Sequence, residues 1–445
     1  MVDISPELIA ILMLGGVLVG VMTGYPLAIV IGFLGLIFGF LRFGFNVGEV
    51  LYPRAVSGVL MNYPLLAAPL FIFMGLMLER SGIAERLYDA LYVWLGGLRG
   101  GLAIVTVLIG TIMAACVGII AASITMLAVV ALPSMVRRGY DKSLAAGSIC
   151  AGGTLGILIP PSIMLVLYGP MAQLSVGRLF FGAFIPGFIL SGMYISYIAI
   201  RSLLQPDIAP PVPIDQRRVS FLKKTWMLAT SLLPAGFLVL SVLGTIFFGI
   251  APPTEAAAIG GLASVILVIA YRRFNWHVLY EVSLETLKLC GFIILIVSMA
   301  FAFVGVFIGA RGDTVVTEVI LSTPGGKWGA FAVIMFICFI LGMFIDWIGI
   351  VFIMVPIITP IGFALEFDPI WFAIMVCVNL QMSFMTPPFA MAIFIVRGAA
   401  PPEAGLTMAE VIRGVIPFVI LIMIGILLCA FFPQLVLWLP SQMIR

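Results

Sequence analysis

Long apolar stretches follow one another through almost the whole of this chain, and they restrict it to a membrane. The sequence is 63% hydrophobic and only 9% charged, with a mean hydropathy of +1.28. A soluble domain carries about 25% charged residues, which it needs to cover its surface. Since one helix spans the hydrocarbon with about 20 apolar residues, a chain of 445 residues allows roughly a dozen crossings. We therefore expect an all-α, polytopic membrane protein.

Residue types that serve catalysis or metal binding are sparse. Six cysteines are scattered singly without a C-x-x-C pair, and the only histidine, His277, stands beside Arg272 and Arg273. This pattern disfavours a disulfide framework and a zinc site. Neither an H-E-x-x-H pair nor a nucleotide-binding loop occurs. We therefore expect neither an enzyme nor a protein driven directly by ATP.

The spacing of the prolines reveals an internal repeat, which must be sought before any single motif is interpreted. The pair Pro160-Pro161 recurs in the second half as Pro387-Pro388. The same offset in residue number relates Pro26 to Pro253 and Pro133 to Pro360. Matching landmarks in the same order predict two copies of one structural unit.

Lysine and arginine residues predict the topology, because cytoplasmic loops are enriched in them. The Pro-rich linker 201–224 separates the two copies, and we place it in the cytoplasm. Its basic residues include Arg217, Arg218, Lys223 and Lys224. A consistent topology then requires segments 103–135 and 328–363 to be re-entrant hairpins. Each repeat has five crossings plus one hairpin, ten crossings in all, and the second copy is inverted relative to the first.

The Pro-Pro pairs interrupt two apolar spans, which we expect over residues 144–168 and 370–396. Proline removes a backbone donor and stops a helix. Unpaired backbone groups in hydrocarbon cost several kcal/mol each, so irregular backbone at that depth lines a protein-enclosed cavity. Two broken helices at matching positions of inverted halves indicate a transporter's binding site. There, half-helix C-termini offer carbonyls to a cation and N-termini favour an anion.

Small and oxygen-bearing residues surround the breaks and the hairpin turns. Near the breaks they are Gly152, Gly153, Thr154, Gly156 and Ser162 in the first copy and Asn379, Gln381, Ser383 and Thr386 in the second. In the turns they are Cys116, Gly118, Ser123, Thr125, Gly342, Asp346 and Gly349. Oxygen ligands suit hard cations such as Na+. Asp346 is the sharpest signal, because an ionisable residue inside a membrane is costly and marks a functional site.

Five long motifs follow one another in this chain. They are PLFIFMGLMLERSGIAERL (69–87), GGTLGILIPPSIMLVLYG (152–169), APPTEAAAIGG (251–261), GMFIDWIGIVFIMVPIITPI (342–361) and NLQMSFMTPPFAMAIFIVRG (379–398). Together they resemble the large membrane subunit of tripartite ATP-independent periplasmic (TRAP) transporters, over essentially the whole chain. The resemblance implies a bacterial inner-membrane permease that imports small organic anions, chiefly carboxylates, by a Na+-coupled elevator mechanism. It also implies two partners, a periplasmic substrate-binding protein and a small four-helix membrane subunit.

The resemblance further implies a division of labour. A scaffold would comprise residues 1–99 and 225–325, and a moving transport domain residues 100–200 and 326–445. Two Na+ sites would each lie between a hairpin and a broken helix. The expected ligands are Ser123, Thr125, Gly153 and Thr154 at the first site and Gly342, Asp346, Asn379 and Thr386 at the second. The substrate is expected at Ser123, Thr154, Ser162, Ser383 and Thr386.

One departure from the family and several plainer interpretations stand beside these expectations. Residues 116–125 lack the acidic residue that some family members carry, so ligation there would depend on carbonyls and hydroxyls. Serine and threonine in membrane helices often bond only to their own backbone. A Pro-Pro pair can simply kink a helix, and Asp346 can belong to a structural ion pair. A self-sufficient carrier or channel that needs no binding protein is the second candidate function.

Overall fold

The computed structural model of the chain describes residues 5–118, 120–213 and 219–443. Its regular elements in these ranges are helices, as predicted, because a membrane-spanning backbone must bond within its own segment. The first half contains α1 (Pro6–Met22), α2 (Leu27–Phe43), α3 (Val47–Ala55), α4 (Ala67–Arg80), α5 (Ile83–Leu95), α6 (Gly101–Val117), α7 (Ile120–Arg137), α8 (Lys142–Thr154), α9 (Ile163–Ala172) and α10 (Val176–Leu204). The second half contains α11 (Phe221–Phe247), α12 (Pro253–Ala270), α13 (Trp276–Gly309), α14 (Gly312–Leu321), α15 (Gly326–Gly342), α16 (Trp347–Ile353), α17 (Val355–Ala364), α18 (Pro369–Ser383), α19 (Met391–Ala399), α20 (Met408–Phe431) and α21 (Gln434–Ser441).

Helix boundaries in the two halves repeat at the spacing of the prolines. The first residues of α7 and α16 are separated by the same offset as the two Pro-Pro pairs, and so are those of α8 and α18. The starts of α2 and α12 agree with this offset to within a single position. The correspondence therefore extends from single prolines to the order and bounds of the helices. The inversion of the second copy across the membrane stays a prediction.

One segment departs from this correspondence. In the second half α13 runs unbroken for 34 residues. In the first half the matching stretch is divided into α3 and α4, with irregular turns between Val56 and Leu66. Of the three prolines in this stretch, Pro53 and Pro64 lie beside and within the irregular turns, whereas α13 contains no proline. Since proline lacks the N–H that helix bonding needs, the two prolines account for the interruption.

The ten predicted crossings include the two broken helices. Among the described residues, eight helices are long and apolar enough to cross a membrane, or nine if α16 and α17 form one bent span. The predicted ten counted each broken helix as one crossing, but the pieces α8, α9, α18 and α19 have only 13, 10, 15 and 9 residues. Conversely, α7 is long enough to span, although it lies in the first predicted hairpin. Helix length alone therefore does not test the ten predicted crossings, two of which are broken helices, and that number stays a prediction.

Each predicted hairpin consists of adjacent helices that contact one another. Segment 103–135 is formed by α6 and α7, which meet at Gly118, whose φ of 65° suits glycine. Segment 328–363 is formed by α15, α16 and α17, with a bend of 54° between the last two. Pro356 lies at this bend, whereas Val129 stands at the matching position of the unbroken α7. Re-entry of both segments on one membrane face stays a prediction.

The first piece of the first broken helix lies at the centre of the packing. Every residue of α8 from Leu144 to Thr154 is buried, and α8 contacts α6, α7 and α20. A Cβ atom on Gly147 would lie 2.6 Å from the carbonyl carbon of Gly414 in α20. Such close backbone approach through small residues is typical of helix packing in membranes. It brings α8 of the first half into contact with α20 of the second.

The segment of residues 206–212, which we call the strap, lies across two loops of the first half. One loop joins α5 to α6 and the other joins α7 to α8. Two strap side chains, Ala209 and Val212, are buried. Backbone N–H groups donate from Gly100 to Ala209 (3.0 Å), from Val212 to Gly96 (2.7 Å) and from Asp141 to Ile208 (2.8 Å).

The strap is the first part of the segment that joins α10 to α11 within the predicted linker 201–224. The ends of that linker belong to helices, because α10 continues to Leu204 and α11 begins at Phe221. Residues 214–218, and with them the basic residues Arg217 and Arg218, lie outside the described residues. The linker is therefore shorter than predicted, and its first part is bound to the first half.

We expect Gly147→Ala to destabilise the protein. Its methyl group would meet the backbone of Gly414, so α8 and α20 would have to separate, at a cost of about 1–3 kcal/mol. A thermal melt of the protein in detergent measures the effect. Gly192→Ala in α10 is the matched control, because nothing lies within 4 Å of its added Cβ. Equal melting temperatures for the two variants would contradict the close crossing.

Candidate functional site

The first break lies between α8 and α9 and is enclosed by protein. Residues 144–169 are all buried. The hydroxyl of Ser162 donates to the carbonyl oxygen of Ile157, which closes the break on itself. A Cβ on Gly118, at the end of α6, would lie 3.1 Å from the carbonyl oxygen of Pro161. The turn of the first hairpin therefore reaches the first Pro-Pro pair.

The second break, between α18 and α19, also meets its hairpin but is open on one side. The N–H of Phe389 donates to the carbonyl oxygen of Met343, in the turn after α15, at 3.0 Å. The hydroxyl of Thr386 donates to the carbonyl oxygen of Met382 at 2.9 Å. Pro387, Pro388 and Phe389 are exposed, in contrast to the matching residues of the first break. Two breaks of similar construction thus differ in access.

Of the residues predicted for the first Na+ site, Ser123 and Gly153 lie at the junction of α7 and α8. A Cβ on Gly153 would lie 3.1 Å from the Cα of Ile124. Ser123 is 1% exposed, and its hydroxyl has no hydrogen-bond partner among the described residues. A Cβ on Gly156 would lie 3.7 Å from this hydroxyl, so Ser123 faces the turn that follows α8.

Thr125 and Thr154 are placed differently. Thr125 is exposed on α7, away from the buried face that carries Ser123. Thr154 is fully buried at the end of α8, and its hydroxyl donates to the carbonyl oxygen of Ala151 at 3.1 Å. Thr154 also lies 3.4 Å from the sulfur of Met385 in the second half. Of these two side chains, only that of Thr154 is therefore directed toward the second copy.

The residues predicted for the second Na+ site lie along α15, α18 and the turn between α15 and α16. A Cβ on Gly342 would lie 2.7 Å from the Cβ of Ser383, so the backbones of α15 and α18 approach closely here. The side-chain nitrogen of Asn379 donates to the carbonyl oxygen of Met335 at 2.7 Å. Hairpin and broken helix are thereby joined in the second half, as they are in the first.

Asp346 is the N-cap of α16, not a member of an ion pair with another described residue. Its carboxylate accepts from the N–H of Trp347 at 2.8 Å, and the side chain is half-buried. A carboxylate at this position compensates free N–H groups of the first turn. The ion-pair interpretation therefore gives way to a capping role, which leaves other carboxylate lone pairs available.

Gln381 connects the two copies, a contact for which sequence analysis made no prediction. It is fully buried in α18, and its side-chain nitrogen lies 3.4 Å from the Thr154 hydroxyl and 3.3 Å from the Tyr194 hydroxyl. Thr154 and Gln381 are 227 residues apart, which is the offset of the repeat. Because Thr154 and Gln381 correspond in the repeat, the offset could have suggested their contact. No sequence signal identifies Tyr194 of α10 as the second hydroxyl that Gln381 contacts.

The arrangement offers oxygen atoms and helix ends instead of a classical metal cluster. Within the described residues, no three side chains of His, Cys, Asp or Glu come together. A cavity of about 410 Å³ between α4, α9 and α13 is lined mainly by apolar side chains and does not include either Pro-Pro pair. The polar groups lie at the breaks, so we locate the candidate site there.

The fold and the paired breaks define a multi-pass permease and not an enzyme. Residues 14–435 match the family described as "Tripartite ATP-independent periplasmic transporter, DctM component". The chain therefore belongs to the family of TRAP transporter large permeases, which are integral proteins of the bacterial inner membrane.

Individual relatives agree with this assignment. The chain is 31% identical to the C4-dicarboxylate TRAP transporter large permease protein DctM of Pseudomonas aeruginosa, over 85% of this chain and 87% of that one. It is 30% identical to the protein of the same description from Vibrio cholerae, over 98% and 97%. Other relatives are named for sialic acid, isethionate and ectoine. The YdaH transporter of Alcanivorax borkumensis has a similar fold, with a TM-score of 0.62, 15% identity and coverage of 88% and 89%.

We expect Phe389→Cys to react with a water-soluble maleimide at least about ten times faster than Ser162→Cys, because the thiol must be accessible. These positions match at the offset of the repeat, yet Phe389 is 50% exposed and Ser162 is fully buried. All six native cysteines are buried, which keeps the background low. Mass spectrometry of the labelled protein in detergent gives both rates. Equal rates would contradict the difference in access between the breaks.

Proposed function

We propose that the chain is the permease subunit of a Na+-coupled secondary transporter that imports small organic anions, chiefly carboxylates. A periplasmic binding protein delivers the substrate, and a small four-helix membrane subunit completes the complex. One observation carries the proposal. Two Pro-Pro breaks in matching positions each meet the turn of a hairpin, and their helices contact each other through Gln381 and Thr154. Such paired interruptions are the sites where secondary transporters bind substrate and coupling ions.

Cation binding at the first break is supported by the groups that gather there. The C-terminal end of α8 carries the negative end of the helix dipole. Ser123 adds a buried hydroxyl without a partner among the described residues. With Gly153 and Thr154 it forms the first proposed Na+ site. The Thr125 side chain is exposed on α7, so its position does not support the ligand role predicted for it.

At the second break the proposed Na+ ligands are Gly342, Asp346, Asn379 and Thr386. Gly342 and Thr386 would supply backbone carbonyl oxygens near the ends of α15 and α18. The side chain of Asn379 joins these two helices. Asp346 supplies the one carboxylate in the group. An oxygen set of this kind suits a hard cation.

The substrate would bind between the breaks. The N-termini of α9 and α19 favour a carboxylate, because the positive end of the helix dipole lies there. Hydroxyls of Ser123, Thr154, Ser162, Ser383 and Thr386 are the proposed polar contacts, although four of them already donate to a nearby carbonyl. The C4-dicarboxylate names of two relatives support an anionic substrate.

For the mechanism we propose an elevator in which residues 100–200 and 326–445 move against a scaffold of residues 1–99 and 225–325, the second copy being inverted. Within the scaffold, Arg80 of α4 pairs with Glu281 and Glu285 of α13 at 3.5 and 3.3 Å. The contact of Gly349 in the hairpin with Leu27 of α2 is apolar, which suits a sliding surface. One break enclosed and the other open is the asymmetry that alternating access requires.

We expect uptake into vesicles that contain the chain, the small subunit and the binding protein to require an inward Na+ gradient, because ion binding orders the substrate site. Radiolabelled C4-dicarboxylate is a suitable first probe. The control replaces the Na+ gradient with an equal K+ gradient. Uptake that persists undiminished without Na+ would refute the coupling. Full-rate uptake by the chain alone would favour a self-sufficient carrier instead.

We expect Asp346→Asn to raise the Na+ concentration for half-maximal uptake roughly tenfold, equivalent to about 1.4 kcal/mol of lost binding. Asparagine keeps the capping oxygen for α16 but removes the charge. Asp368→Asn is the matched control, since Asp368 also caps a helix through the N–H groups of Ile370 and Trp371. Na+ titrations of uptake for both variants measure the effect. An identical Na+ response for Asp346→Asn and the wild type would assign Asp346 to capping alone.

A further inference from the structure

The side chain of Gln381 makes the one amide contact between the two broken helices among the described residues, and it has no role in the proposed binding sites. It projects from α18, the helix before the second break, to the end of α8, the helix before the first break. Its nitrogen is shared between the hydroxyls of Thr154 and Tyr194, at 3.4 and 3.3 Å. Three helices, α8, α10 and α18, therefore meet at one amide.

Two weaker contacts through sulfur also join the copies, from Thr154 to Met385 and from Cys150 to the carbonyl oxygen of Ala392. The bonds of the other break hydroxyls are local. Ser162 donates to Ile157, five residues before it, and Ser383 and Thr386 donate within the last turns of α18. They fix each break to its own helix but not to the other copy. Gln381 differs because its partners lie 227 and 187 residues away in the chain. It is thus suited to transmit a shift of one break to the other.

The amide oxygen of Gln381 gives a second, independent indication. It is buried and has no hydrogen-bond partner among the described residues. A buried polar atom without a partner costs about 1–3 kcal/mol, so proteins keep one chiefly where a ligand, a water molecule or another conformation satisfies it. An amide needed only for packing would be replaced by an apolar side chain without this cost.

We propose that Gln381 is a positioning residue that couples the two broken helices. It holds Thr154, the last residue of α8, and so sets the geometry of the first break from the second half. Occupation of either half-site shifts α8 or α18, and the shared amide passes that shift to the other half-site. The consequence for transport rests on the proposed function, whereas the consequence for the first break does not.

The direct test is amide hydrogen exchange of the full-length protein in detergent, followed by mass spectrometry over residues 151–168. The variant Gln381→Leu keeps the side-chain size but removes the bridge. We expect the amides of residues 155–159 and 162 to exchange about ten times faster in it, because local opening of the first break no longer costs the hydrogen bonds of Gln381. Ser383→Ala is the matched control, because Ser383 is equally buried in α18 but bonds only to Leu380 of its own helix. We expect no change there over residues 151–168. Unchanged exchange in Gln381→Leu would overturn the proposal.

Two further variants keep the test decisive if Gln381→Leu does not fold. Thr154→Val and Tyr194→Phe each remove one acceptor of the bridge and leave the other. We expect each to raise exchange at the first break by a smaller factor than loss of Gln381. Exchange equal to that of the wild type in both would also overturn the proposal.

The transport readout separates this proposal from the proposed function. Where uptake depends on Na+, the variant Gln381→Leu should lower the Hill coefficient for Na+ toward one, and the double variant with Thr154→Val should lower it no further. Independent, additive effects would contradict coupling through this contact. A wild-type protein without Na+ dependence would refute the proposed function, but the exchange experiment would still decide the role of Gln381.

Discussion

Satisfying the backbone groups at two helix interruptions is the constraint on which this structure depends. A Pro-Pro pair leaves carbonyl groups unbonded, and hydrocarbon offers no water to solvate them. Part of this constraint is met within each broken helix, where the hydroxyls of Ser162 and Thr386 donate to the carbonyl oxygens of Ile157 and Met382. At the first break the hairpin turn at Gly118 approaches Pro161, and at the second the N–H of Phe389 bonds to Met343. In both copies the hairpin turn therefore packs against the break.

Duplication brings the two solutions side by side. The close crossing of α8 and α20 at Gly147 and Gly414 joins the copies, and the bridge from Gln381 to Thr154 lies between their breaks. The bridge therefore joins two positions that correspond at the offset of the repeat. The two copies nonetheless differ at a position of the proposed cation site. Ser123, a buried hydroxyl, corresponds to Ile350, so the two half-sites are not chemically equal.

The sequence was sufficient for the repeat, the breaks and the helix pairs, because prolines and charges mark backbone events directly. Residues 144–168 and 370–396 are broken close to the predicted positions. Hydropathy did not reveal how short a proline leaves each piece of a broken helix. Ser123 and Thr125 could not both face one site on a regular helix, as residues two apart do not share a face. The spacing of two residues between Ser123 and Thr125 therefore already argued against a shared site for their side chains. The partners of Gln381 depend on which helices lie next to α18, and this requires the three-dimensional packing.

The strap has a consequence for the order in which the protein is made. Its bonding partners, the loops at Gly96, Gly100 and Asp141, are all synthesised before residues 206–212. The strap can therefore bind them while the second half is still on the ribosome, since folding proceeds from the N-terminus during synthesis. The helix α8, by contrast, must wait for α20, its neighbour from near the end of the chain. The bonds of the strap to the first half can therefore form early, whereas the contact of α20 with the buried helix α8 can form only when the chain is nearly complete.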